Sequence, residues 1–163
     1  MKLRITENGL KRTHGPTKLD YKFNDGGKKE SGYQGIAGDC VARSIAIASG
    51  LPYQQVYDTL AQGQGTQRKS KHHTKKVRSA RNGISVKRKW FKDYMASIGF
   101  KWTPTMLIGS GCKVHLRKGE LPNGNLVVSV SKHYTAVIDG VINDIYDCSR
   151  DGTRCVYGYW LKR

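Results

Sequence analysis

A glutamine stands six residues ahead of a cysteine in the stretch YQGIAGDC, residues 33–40. The cysteine is followed by VARSIAIASG, a run of small and apolar residues that reads as a helix. A thiol becomes a nucleophile when its thiolate is stabilised, by the free N–H groups of a helix start and by a neighbouring imidazolium. Cys40 meets the first condition by position. The second needs one of five histidines. His14 lies in a polar arm, and His72 and His73 lie in a basic stretch. His115 sits between Val114 and Leu116. His133 opens HYTAVI, a strand stiff enough to hold an imidazole still, and is the favoured base. A catalytic imidazole also needs a partner on its second ring nitrogen. A two-residue turn at Asp139-Gly140 places Asp144 on the face of His133, whereas a longer turn or a bulge brings Asp147 opposite. The orienting acid is Asp147 or Asp144, and register decides.

The elements that must position these residues follow from the pattern. Residues 1–32 are polar and punctuated by glycine, with a short strand near Lys2–Thr6 and loop beyond. A helix is expected over 39–49, stopped by Gly50 with Pro52 just past it, and Pro52 suits the first turn of a second helix carrying Val56 and Leu60. A third is expected from about Ser85, where Val86, Trp90, Tyr94 and Ile98 recur every four residues up to Gly99. Residues 101–124 read as loop with short extended pieces. The last third reads as β: NLVVSV, a hairpin about Asp139-Gly140, and the aromatic strand near CVYGYWLK. Helices followed by an antiparallel sheet imply a single α+β domain.

The chain has 163 residues, enough for one domain with a sizeable core, and 37% of them are apolar. Its formal charge is +17, so it will be drawn to polyanions whatever else it does. The charge concentrates in residues 63–89, where Arg68, Lys69, Lys71, Lys75, Lys76, Arg78, Arg81, Lys87, Arg88 and Lys89 occur with no acid. An exposed loop over 63–84 that contacts nucleic acid or another polyanion is expected there. The first residues hold no apolar signal segment, and no stretch is long enough to cross a bilayer. A cytoplasmic protein with no membrane partner is expected. The four cysteines are scattered with no C-x-x-C pair, which implies free thiols in a reduced protein. A Cys148–Cys155 bridge and a zinc site from Cys112, His115, Cys148 and Cys155 are the competing arrangements.

The motif QGIAGDC resembles the papain-like cysteine peptidases, whose nucleophile at a helix start follows an oxyanion-hole glutamine at this spacing. It is also similar to the peptidases that process bacteriocin leaders. The order of cysteine, strand-opening histidine and acid on the returning strand matches both. The resemblance implies a papain-like fold over residues 33–163 behind the 1–32 arm, and a thiol-dependent hydrolase acting on a peptide or isopeptide bond without metal or organic cofactor. By position, Gln34 would donate to the oxyanion and Cys40 would attack. His133 would move protons, and Asp147 or Asp144 would orient it. The matched segments cover under a fifth of the chain. Val41 stands where papain has a tryptophan, Ala37 where it has a second cysteine, and Asp147-Cys148 where the leader peptidases often have Asp-Pro. A small basic protein of this kind would suit a virus or mobile element. The alternative function is a nucleic-acid-binding or host-interaction accessory protein on the same scaffold, with chemistry weak or lost.

Overall fold

The computed structural model describes residues 2–6, 9–13, 17–32, 39–66 and 84–163. Two β-hairpin turns and one buried helix set the architecture. Asp139 and Gly140 both take positive φ, 46° and 78°, so the link between β6 (His133–Ile138) and β7 (Val141–Asp144) is a two-residue turn with Ile138 facing Val141. That pair of positive dihedrals matches the right-handed twist of the flanking strands. A second tight turn at Ser131-Lys132 joins β5 (Asn125–Val130) to β6, pairing Val130 with His133. β8 (Val156–Lys162) lies antiparallel on the other side of β5, and β4 (Phe100–Pro104) lies antiparallel on β8.

The remaining edge differs from expectation. Residues 20–23 form β3 (Asp20–Phe23), which pairs parallel with β7 and makes a six-stranded mixed sheet of order β3-β7-β6-β5-β8-β4. From residue 17 onward the supposed arm is therefore part of the domain. Leu19 is buried, and Lys18 bridges to Arg117. Upstream, β1 (Lys2–Thr6) and β2 (Gly9–Thr13) pair only with each other. The polar composition of residues 17–32 hid β3, because a short edge strand buries little and carries no apolar alternation.

Three helices cover one face. α1 (Cys40–Ser49) ends at Gly50, whose φ of 75° lets its N–H reach the Ala46 carbonyl at 3.0 Å. Nearly all of α1 is buried, and it packs on β5, β6 and β7. α2 (Tyr53–Thr66) runs four residues past Gln62, where the expected helix ended, and at Gly63 the absence of a Cβ lets the Trp90 ring lie against it. Residues 63–66 are thus helix rather than loop. α3 (Lys89–Ser97) starts later than its periodicity suggests, and Val86 precedes it. Its fully buried residues are Phe91 and Met95, one position on from the half-buried Trp90 and Tyr94. Phe91 meets Trp160 of β8 edge to face, with centroids 6.0 Å apart.

The opposite face of the sheet is closed by connecting segments that carry Leu19, Leu116 and Cys148 onto Leu126, Val128, Val137 and Ile142. With both faces covered, β5 and β6 are buried along most of their length instead of at alternate positions. Among the described residues no helix is long and apolar enough to cross a membrane.

Gly158 shows how tightly the β4–β8 edge is packed. A Cβ placed there would fall 2.3 Å from the Trp102 ring and 3.0 Å from the Thr103 carbonyl. Gly158→Ala is expected to destabilise the fold by about 1–3 kcal/mol through overpacking. In urea unfolding this appears as a lower midpoint with an unchanged m-value.

Candidate active site

Cys40 is the first residue of α1 and is half-buried. The residue before it, Asp39, occupies the cap position but makes no side-chain cap bond. Its carboxylate is turned instead to the Arg43 guanidinium, the Tyr53 hydroxyl and the Lys28 ammonium, the last at 3.3 Å. With the cap unfilled, no side chain from Asp39 competes for the first N–H groups of α1, which point toward the thiol end of the helix.

His133 opens β6 at the tight turn and is buried. Its Nε2 shares a proton with Asp144 Oδ2 at 2.7 Å. The other carboxylate oxygen, Oδ1, accepts the Ile145 N–H at 2.7 Å and lies 3.8 Å from Arg43 Nη2. The two-residue turn explains the choice of acid. Pairing at Ile138–Val141 and Ala136–Asn143 puts Asp144 diagonally beside His133 on one face. Asp147, the other candidate, is carried past the end of β7. Its carboxylate pairs with Lys18 at 3.0 Å and accepts the Ser149 N–H at 3.0 Å. The Tyr146 ring covers the imidazole instead, with centroids 5.2 Å apart.

Cys40 and His133 meet at the helix start. Burial raises the thiol pKa, but the hydrogen bond from His133, the Tyr134 backbone N–H and the Arg43 charge outweigh it, so the thiol titrates below its ordinary range. Burial alone would lower the pKa of His133. Hydrogen bonds to Asp144, Cys148 and Cys40 oppose that and raise it well above the usual imidazole range. Asp144 is lowered: burial acts against its charge, and the bond and charge of His133 prevail. A helix N-terminus contributes about 0.3–1 kcal/mol to a nearby anion, less than one pKa unit. The imidazole, not the dipole, is therefore the main source of thiolate stability.

Three residues beyond the sequence expectation belong to this cluster. Arg43 is one turn along α1 from Asp39, a spacing that an i, i+4 acid–base scan would have found. Tyr53 reaches Asp39 across the α1–α2 link, and Cys148 reaches His133 from beyond β7; neither leaves a local sequence signal. Gln34 and the basic residues Arg68, Lys69, Lys71, Lys75, Lys76, Arg78 and Arg81 lie outside the described residues, whereas Lys87, Arg88 and Lys89 are exposed at the start of α3.

The remaining cysteines overturn two expectations. Cys112 and Cys155 form a disulfide, with Cα atoms 5.9 Å apart, so the four thiols are not all free. An isolated bridge between His115 and Cys155 aligns the two segments, and the bonded cysteines stand 43 residues apart, a pairing that spacing could not reveal. The zinc arrangement fails with it, because two of its four ligands are bonded to each other and Cys148 is at the His133 cluster. Among the described residues, His133, Asp144 and Cys148 alone gather metal-ligating atoms, within 4.8 Å of one another. A tetrahedral zinc with bonds of about 2.0 Å keeps its ligand atoms more than about 3.2 Å apart. The 2.7 Å between His133 and Asp144 is a hydrogen-bond distance, so the cluster as built shares protons.

A groove of about 640 Å³ opens between α3 and the β4–β8 edge, lined by Ser129, Tyr134, Trp160, Trp102, Tyr157 and Ile108. The Tyr134 backbone, which hydrogen-bonds Cys40, links it to the site. The lining is mainly apolar, and Lys87 and Lys92 stand at its rim.

No family model, no curated protein and no solved structure matches the chain.

Alkylation without reductant is expected to modify Cys40 rapidly below pH 7, leave Cys148 protected until the chain unfolds, and recover Cys112 and Cys155 as one linked peptide pair. His133→Ala should return Cys40 to an ordinary thiol profile near pH 8.5. Peptide mapping by mass spectrometry across pH reads all of these outcomes.

Proposed function

We propose that the chain is a thiol-dependent hydrolase of papain-like type that cleaves a peptide or isopeptide bond. The carrying observation is the chain of contacts from Cys40 at a helix start, through the His133 imidazole, to Asp144 Oδ2 at 2.7 Å. A helical cysteine, a strand-opening histidine and an acid on the adjacent strand agree in order and placement with the resemblance around QGIAGDC.

The chemistry follows from the pairing. Asp144 holds Nε2, which leaves Nδ1 to share a proton with the thiol. The Cys40 thiolate attacks the scissile carbonyl carbon, and the carbonyl electrons move to oxygen. The Cys40 backbone N–H faces that oxyanion, and Gln34 is proposed as the second donor. The oxyanion collapses, the C–N bond breaks, and His133 gives its proton to the leaving amine. Water then adds to the thioester as His133 takes a proton from it. The second collapse releases the carboxylic product and returns the sulfur as thiolate, paired again with imidazolium. The groove beside Tyr134 would seat an apolar side chain of the substrate next to the scissile bond.

The polyanion-binding alternative has the exposed Lys87, Arg88 and Lys89 on its side. A steep fall of nucleic-acid affinity with salt, indifferent to Cys40→Ala, would favour it.

Activity is assayed on a pooled peptide and ubiquitin-type isopeptide library, with covalent acyl-enzyme trapped for mass spectrometry. Cys40→Ala and His133→Ala are expected to remove turnover while leaving circular dichroism unchanged. Asp144→Asn should lower kcat by about 10⁴-fold, and Gln34→Ala by about 10²–10³-fold. Turnover that survives Cys40→Ala would end the proposal.

A further inference from the structure

Asp39 and Arg43 have no part in the steps above, yet both are almost fully buried beside the nucleophile, at 2% and 3% exposure. Taking two charges out of water can cost more than their attraction returns. The geometry ties this pair to the orienting acid. Asp39 grips one end of the Arg43 guanidinium, and the other end, Nη2, lies 3.8 Å from Asp144 Oδ1. Asp144 is thus held from one side while Oδ2 stays on His133. Arg43 free of Asp39 would be drawn fully onto Asp144, in competition with the imidazole.

We infer that Asp39 and Arg43 are a positioning pair, which keeps Asp144 directed at His133 and sets the pH window in which the Cys40–His133 ion pair exists. The inference rests on the cysteine-hydrolase reading. The window has two limbs: an acid limb where Cys40 gains a proton and an alkaline limb where His133 loses one. A buried negative charge next to Cys40 moves both limbs up, and a buried positive charge moves both down. Asp39 at the cap of α1 and Arg43 one turn along are paired with opposite signs, so their effects largely cancel.

The other groups facing the ion pair leave this argument intact. From β6 comes the Tyr134 N–H, and from β7 and its exit come Asp144, Tyr146 and Cys148. Tyr21 of β3 donates to the Asp144 carbonyl at 3.3 Å. Lys28 and Tyr53 contact Asp39 itself, adding a cation and a neutral donor to the same point. None of these supplies a second buried charge on the α1 side of the site other than through Asp39.

The test is the rate of Cys40 alkylation by iodoacetamide from pH 4 to pH 11, read by peptide mass spectrometry on the full chain. Asp39→Asn should shift both limbs down by roughly one pH unit, the scale expected for one charge at this range. Arg43→Gln should shift both up, and the double variant should return close to wild type. Arg43→Lys keeps the charge and should leave the limbs in place while lowering the rate. Where Asp39→Asn fails to fold, the contrast between Arg43→Gln and Arg43→Lys carries the same test. Limbs that stay put in Asp39→Asn and Arg43→Gln, or move in one direction in both, would overturn the inference and leave the pair merely structural. A wild-type profile with a single ordinary thiol limb would instead overturn the hydrolase reading itself.

Discussion

Asp144 ties together four elements of the fold. Its side chain takes the His133 imidazole of β6, caps its own chain at Ile145, and faces Arg43 of α1. Its carbonyl accepts the Asn24 N–H at 2.9 Å and the Tyr21 hydroxyl, which fastens the end of β3 to β7. A buried carboxylate is costly unless hydrogen-bonded and paired. Each of these contacts offsets part of that cost, and each also constrains where the carboxylate can point. The site geometry depends on this one side chain having no freedom to turn.

The Asp139-Gly140 turn is what delivers Asp144 to that position. A one-residue slip in a β ladder sends every side chain to the opposite face. Here the positive φ values at both turn residues leave the hairpin a single register, and the register leaves His133 a single acid. Asp147 is then free to hold Lys18 at the mouth of the domain. Helix α1 completes the arrangement by being buried along nearly its whole length, so its first residue cannot drift relative to β6. The sheet is clamped between the helices and the closing segments, which is why the thiol, imidazole and carboxylate sit on rigid elements.

Charge is distributed unevenly over this scaffold. The chain as a whole carries +17, yet around the site the buried Asp39 and Asp144 carboxylates are matched by the buried Arg43 and the half-buried Lys28. The balance is local because a low-dielectric interior tolerates no residual charge. The surface excess sets up a long-range field that attracts anions and that salt screens. The apolar groove, with Lys87 and Lys92 at its rim, stands between these two regimes.

The α+β class, the Cys40 helix with its Gly50 stop, the β6–β7 hairpin and the candidates Cys40 and His133 were all legible in the sequence. These are local features: periodicity, turn chemistry and a thiol at a helix start act over a few residues. The acid was legible only as a pair of alternatives, since the chemistry of Asp139-Gly140 favours one register but the ladder has to form to impose it. β3 and the Cys112–Cys155 bond were not legible, because parallel pairing and disulfide geometry join residues more than forty or a hundred positions apart. The same holds for the approach of Tyr53 and Cys148 to the site. What the sequence determines alone is which side chains could do chemistry and on which elements they stand. Which of them meet is decided by packing, because burying both faces of the sheet brings together charges that no local pattern connects.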